Sequence, residues 1–212
     1  MASTGSSSPQ WEYDVFLSFR GKDTRDKFTS HLYSNLEQAR IEAYMDDREL
    51  ERGKSIEPAL WKAIEDSRFS VIVFSRNYAS SPWCLDELVK IVECMKEMGQ
   101  TVLPVFYDVD PSEVAEQKGN YKELFIEHEQ NFRNDLEKVR RWKDCLATVA
   151  NLSGWDVRNR RGISEWESAI KRMIDIPDGN IIDVLPISFD GDTGNDGEKM
   201  KRNRADENRE LE

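Results

Sequence analysis

Apolar and polar positions along this chain switch between two spacings. YDVFLSF at 13–19 is a short β-rich run that ends in Arg-Gly, a turn signal. FTSHLYSNLEQA at 28–39 places apolar residues at 28, 32 and 36, a helical spacing. IEAYM at 41–45 predicts a second strand, and DDRELERGKS at 46–55 a polar loop with one glycine. IEPALWKAIEDS at 56–67 predicts a helix, with Pro58 tolerated in its first turn. FSVIVFS at 69–75 is a continuous apolar run, as expected of a strand buried on both faces. WCLDELVKIVECMKEM at 83–98 predicts a long amphipathic helix, and TVLPVFYDV at 101–109 another buried strand. Helices follow over 121–132 and 139–152, then a short strand over 153–157 and a last helix over 164–174.

Strands alternating with helices through short loops imply right-handed crossovers and a central parallel sheet. The expected class is α/β: a flavodoxin-like five-stranded parallel sheet with helices on both faces. Such sheets bind ligands beyond the carboxyl ends of their strands. The loops to examine are therefore 19–25, 46–55 and 75–83.

Composition narrows the function classes. The formal net charge is −11, which disfavours general attraction to nucleic acid or to an anionic membrane. No run approaches the ~18 apolar residues of a membrane span. The three cysteines, Cys84, Cys94 and Cys145, form neither a disulfide framework nor a zinc spacing, and there are only two histidines. No metal site is expected, and buried inert thiols are. The N-terminus lacks a basic and an apolar segment, so it is no secretory signal. The cytosol is the expected compartment, with the nucleus also open. The expected organisation is a disordered Ser-rich tail over 1–10, one domain over 11–176, and an acidic, disordered tail over 177–212. That last segment carries ten acidic and five basic side chains.

At the strand-end loops the sequence stops being generic. YDVFLSFRGKDTR (13–25), DD-x-x-L-x-RG-x-x-I (46–56), SVIVFSRNYASSPWCLDEL (70–88) and LPVFYDVDPS (103–112) fall in order along the chain. Together they resemble the TIR (Toll/interleukin-1 receptor homology) domain of plant intracellular immune receptors. ANLSGW (150–155) extends the resemblance, which covers roughly residues 11–175. It implies self-association and, in the assembled state, cleavage of NAD⁺ at the nicotinamide–ribose bond. NAD⁺ is then a substrate, and no cofactor is expected. The products are nicotinamide and ADP-ribose-type signals that promote defence and cell death. Other TIR-containing receptors are further expected partners. The alternative is a non-catalytic adaptor or decoy that acts by TIR–TIR pairing alone. Nucleotide cyclase chemistry on nucleic acid is a third and weaker reading, which the net charge does not favour.

The resemblance maps the catalytic glutamate onto Glu87, in Trp83-Cys84-Leu85-Asp86-Glu87. Without it, Glu87 is an ordinary carboxylate near a helix N-terminus. The chemistry suits a carboxylate, since N-glycosidic cleavage passes through an oxocarbenium-like cation that a carboxylate stabilises. Asp86 lies a ~100° step away on the helix and is expected to be solvated. Trp83 is either a core residue or an aromatic wall of the nucleotide cleft. The loop Arg20, Gly21, Lys22, Asp23, Thr24, Arg25 is expected to contact the nucleotide, cations on phosphate and Gly21 allowing close approach; a plain charged turn is the alternative. Gly53 and Lys54 fall in the loop that, by the resemblance, gates the cleft; a solvated hairpin-like connection is the alternative. Asp46 and Asp47 at a strand end suggest a receiver-type site, but the further groups such a site needs are missing. Ser30 and His31 match a short element that packs against a second protomer. NIIDVLPISFDG (180–191) resembles, weakly, a stretch late in the ATPase modules of such receptors. With neither a phosphate loop nor a leucine-rich repeat, the expected form is TIR-only, truncated, or an excerpt from a longer chain.

Overall fold

A computed structural model describes residues 11–45 and 58–158. Five strands form one parallel sheet: β1 (Tyr13–Phe19), β2 (Ala43–Met45), β3 (Ser67–Phe74), β4 (Thr101–Phe106) and β5 (Trp155–Asp156). Their order is β2-β1-β3-β4-β5, with Leu17 beside both Met45 and Val71, and Val71 beside Leu103. This is the expected doubly wound layout.

Strand periodicity divides the core between the two faces. Val15, Leu17, Phe19, Val71, Val73, Leu103 and Val105 point to one side, where they meet Phe28, Leu32 and Leu36. Phe16, Ile72, Phe74 and Phe106 point to the other. There they meet α3 (Pro58–Glu65), α4 (Pro82–Met98), α6 (Gly119–Asn131) and α7 (Leu136–Ala150). Trp142 of α7 and Tyr121 and Phe125 of α6 are fully enclosed in this second cluster.

Helix ends follow local chemistry. Ser81 caps α4 by accepting from Cys84 N at 3.4 Å, with Pro82 in the first turn. Gly99 closes α4 in the left-handed region at φ 73°, where a Cβ would be strained. Asp135 caps α7 by accepting from Lys138 N at 3.2 Å.

Three departures from the sequence reading lie at or beyond the strand ends. The segment after β1 is helical rather than a turn: α1 (Gly21–Thr24) runs through a π-helical turn over Arg25–Thr29 into α2 (Ser30–Gln38). The Ser30 hydroxyl donates to the Arg25 carbonyl at 2.5 Å across that widened turn. Second, β4 stops at Phe106, three residues before the expected end, as Asp108 turns to φ 53°. Third, a short helix, α5 (Pro111–Ala115), follows; Asp110 caps it by accepting from Ser112 N at 2.8 Å. The gating loop with Asp46, Asp47, Gly53 and Lys54, the helix expected over 164–174 and both tails lie outside the described residues.

Candidate active site

The carboxyl ends of β1 and β3 meet where the crossover direction reverses, the place where open α/β sheets build their ligand sites. Ser18, near the end of β1, is fully buried and faces α4. Its Oγ donates to Glu87 Oε2 at 2.9 Å. Glu87 itself is only 5% exposed, in the second turn of α4. A buried carboxylate is costly unless hydrogen-bonded, and Ser18 supplies one such bond. Tyr78 Oη lies 3.0 Å from Ser18 Oγ and donates to the Cys84 carbonyl at 3.0 Å. Burial pushes the Cys84 thiol up to about 12, with the nearby Glu87 adding to the effect. Burial likewise holds the Tyr78 hydroxyl well above its ordinary range. Both stay protonated at neutral pH.

The turn carrying Tyr78 is fastened from outside. His128 of α6 is buried, and its Nε2 lies 2.7 Å from the Ala79 carbonyl. Phe125, Phe132 and Trp142 surround the imidazole, with ring centroids 5.2–6.1 Å away. The next helix is fastened too. Trp142 Nε1 donates to Asp86 Oδ1 at 2.8 Å, and Lys138 Nζ to Asp86 Oδ2 at 2.9 Å. Asp86 is thus not the solvated carboxylate expected. It does turn away from Glu87, but toward donors on α7. Together these contacts hold both ends of the segment that presents Glu87.

The loop after β1 is built inward. Asp23 pairs with Arg20 Nη1 at 2.5 Å and accepts from Ser75 Oγ at 2.6 Å and Asn77 N at 3.2 Å. One carboxylate therefore ties the ends of β1 and β3 together. Thr24 is buried; its Oγ1 accepts from Thr29 Oγ1 at 2.8 Å. Arg25 lies over the Phe19 ring, 5.1 Å from its centroid. A Cβ on Gly21 would come 3.1 Å from Arg25 Nε, so Gly21 makes room for that guanidinium. Within this loop, Lys22 is the exposed cation. Trp83 is half-buried and packs against the larger core cluster. On α2, His31 is exposed while Ser30 is engaged by the π-turn.

Sequence reasoning pointed to the loop 75–83 without singling out Ser75, Asn77 or Tyr78, and it overlooked Ser18, His128 and Trp142. For Ser18 a signal existed: one serine in an otherwise apolar buried strand. The others act through long-range contacts that spacing does not show.

A groove of about 780 Å³ between α3, α4 and α7 includes Trp61, Lys90, Lys138 and Arg141 among its walls. Glu87 is not one of its walls, and its cations are paired with Glu65, Asp86 and Glu93. Among the described residues no cluster of three metal-ligating side chains occurs, and no helix is long and apolar enough to cross a membrane.

Comparison with known proteins bears on family and fold. The family described as TIR domain matches residues 12–209. The chain is 54% identical over 154 residues to TMV resistance protein N of Nicotiana glutinosa, covering 73% of this chain and 13% of that protein. It is 54% identical over 164 residues to disease resistance protein RPV1 of Vitis rotundifolia, covering 76% of this chain and 11% of that protein. The chain thus spans little more than a tenth of these relatives. Among solved structures, the TIR domains of the activated Roq1 resistosome, which directly recognises the pathogen effector XopQ, superpose with a TM-score of 0.70 at 53% identity. That match covers 76% of this chain and 98% of the other. A family match running through nearly the whole chain, joined to a shared fold at this level of identity, has one consequence: the chain belongs to the TIR domain family.

Proposed function

We propose that this chain is a plant immune-signalling TIR domain that self-associates and hydrolyses NAD⁺ to nicotinamide and ADP-ribose-type nucleotides. One observation carries the reading: a buried carboxylate, Glu87, is held by Ser18 at the sheet's switch point. In the proposed reaction the C–N bond to nicotinamide breaks and its electron pair leaves with the ring, turning a cationic pyridinium into neutral nicotinamide. No acid is needed for that departure. Positive charge develops on the ribose, where Glu87 stabilises it electrostatically or orients a ribose hydroxyl. Water, or a hydroxyl in a cyclising product, then attacks the anomeric carbon and loses a proton.

Nucleotide contacts are assigned to Lys22 and Arg20 of the loop after β1, to Trp83, and to Gly53 and Lys54 of the gating loop. Asp23, Thr24, Gly21 and Arg25 support that loop through the internal contacts described above. Self-association, with Ser30 and His31 at a pairing surface, is supported by the resistosome setting of the similar TIR domains and by the exposed His31. An immune role is supported by the relatives being resistance proteins. The proposed compartment is the cytosol or the nucleus.

A second reading is a non-catalytic adaptor that works by pairing alone; the near-complete enclosure of Glu87 favours it. Nicotinamide release measured against protein concentration, with Glu87→Ala as control, separates the two. Release that rises with self-association and vanishes in the variant supports the enzyme. Defence output that survives Glu87→Ala but is lost when Ser30 and His31 are replaced supports the adaptor.

A further inference from the structure

Ser18 has one hydroxyl hydrogen and two acceptors within reach. Glu87 Oε2 lies 2.9 Å from its Oγ and Tyr78 Oη lies 3.0 Å away. Tyr78 has already committed its own hydrogen to the Cys84 carbonyl, at 3.0 Å. All three side chains are buried, so bulk water does not make up the difference. While Glu87 is a carboxylate, these three contacts share two hydrogens. A protonated Glu87 supplies the third: Glu87 then donates to Ser18, Ser18 to Tyr78, and Tyr78 to the carbonyl. Hydrogen bonds in such a chain strengthen one another.

We infer that the Tyr78 hydroxyl competes with Glu87 for the single hydrogen of Ser18, so that Ser18 and Tyr78 are opposed positioning residues for the Glu87 carboxylate. Ser18 favours the charged carboxylate by donating to it. Tyr78 favours the protonated form by drawing that hydrogen away.

Three neighbouring groups have partners of their own. The Cys84 thiol is buried and donates to the Phe19 carbonyl at 3.6 Å. Arg20 and Asp23, on the loop after β1, are paired with each other. The Tyr78 ring is fixed independently of its hydroxyl, meeting Phe74 edge-on at 5.1 Å. Tyr78→Phe therefore removes the competing oxygen and leaves the packing in place.

The inference rests on the NAD⁺ reading for its consequence, though not for its measurement. The test uses wild type, Ser18→Ala, Ser18→Thr and Tyr78→Phe. Two quantities are read on each: the acid limb of the pH profile for nicotinamide release, and the pH titration of the Glu87 carboxyl carbon by ¹³C NMR without substrate. Expected is an upward shift of both midpoints in Ser18→Ala and a downward shift in Tyr78→Phe. Each shift should be ~1–2 pH units, the size of one hydrogen bond to a charged group. Ser18→Thr keeps the hydroxyl and should titrate with wild type. A merely structural role moves both variants the same way or neither, and that result overturns the inference. So does a fall of Glu87 support in Tyr78→Phe, which would mean that Tyr78 donates to Ser18 instead. If Ser18→Ala does not fold, the sign of the Tyr78→Phe shift decides alone. NMR midpoints that split while wild type releases no nicotinamide would sink the NAD⁺ reading and leave the inference standing. Release that depends on Glu87 with unsplit midpoints would do the reverse.

Discussion

Ser75 Oγ donates to Asp23 Oδ2 at 2.6 Å, so the end of β3 and the helical turn after β1 share one carboxylate. The same carboxylate holds Arg20 and the Asn77 backbone. Replacing it with Ala leaves the buried Ser75 hydroxyl without that acceptor and frees Arg20. Asp23→Ala should cost ~1–3 kcal/mol of stability. Arg20→Ala should cost less, ~0–1 kcal/mol, because that pair is partly solvated. Urea midpoints for the two variants give the comparison. A larger loss for Arg20→Ala would mean that the bridge is not centred on Asp23.

Trp142 and Asp86 form the second fastening. Trp142→Phe keeps most of the ring volume but deletes the indole donor, and Asp86→Ala deletes the acceptor of the same bond. A double-mutant cycle should show a coupling of ~0.5–3 kcal/mol between them. Trp142→Ala should lose more, ~3–5 kcal/mol, because it also empties a fully buried site. Additive effects of Trp142→Phe and Asp86→Ala would show that this bond does not stabilise the fold.

Acid should expose a third contact. The hydroxyl and then the N–H of Ser112, with Arg158 beside them, hold the Asp110 carboxyl down at about 2. A carboxyl depressed in the folded chain stabilises it above the unfolded value, ~3.9, and that stabilisation fades as pH falls through the folded one. The stability difference between wild type and Asp110→Asn should therefore be present above pH ~4 and vanish toward pH ~2. It should stay below ~1 kcal/mol, since Asp110 and Arg158 are both 45% exposed. A difference that grows on acidification would contradict the assignment.

Much of this was legible in the residues. The run 13–19 is a strand with the expected bounds, and the five-stranded parallel sheet with helices on both faces followed from alternation. The amphipathic pattern over 83–98 also marked α4, whose caps Ser81 and Gly99 the structure adds. The π-turn was not legible, because it depends on Arg25 lying over Phe19 and on Ser30 reaching back to a carbonyl. Asp86 was misjudged for a related reason. Its turn away from Glu87 follows from helix geometry, but the donors awaiting it sit 52 and 56 residues further along the chain. The α5 cap was readable in Asp110-Pro111, yet an apolar run extended through Val109 concealed it. Glu87 shows the division most clearly. Its place near a helix start is local information, while its bond to Ser18 spans 69 residues.

The central claim is that Glu87 performs the chemistry when the chain assembles. Nicotinamide release per protomer, measured for wild type and Glu87→Gln at concentrations where light scattering shows equal self-association, tests it most directly. The account predicts release by wild type that rises with assembly, and a fall of at least ~100-fold in Glu87→Gln, the scale of losing a principal electrostatic catalyst. Equal release from both chains, or none from an assembled wild type, would contradict it.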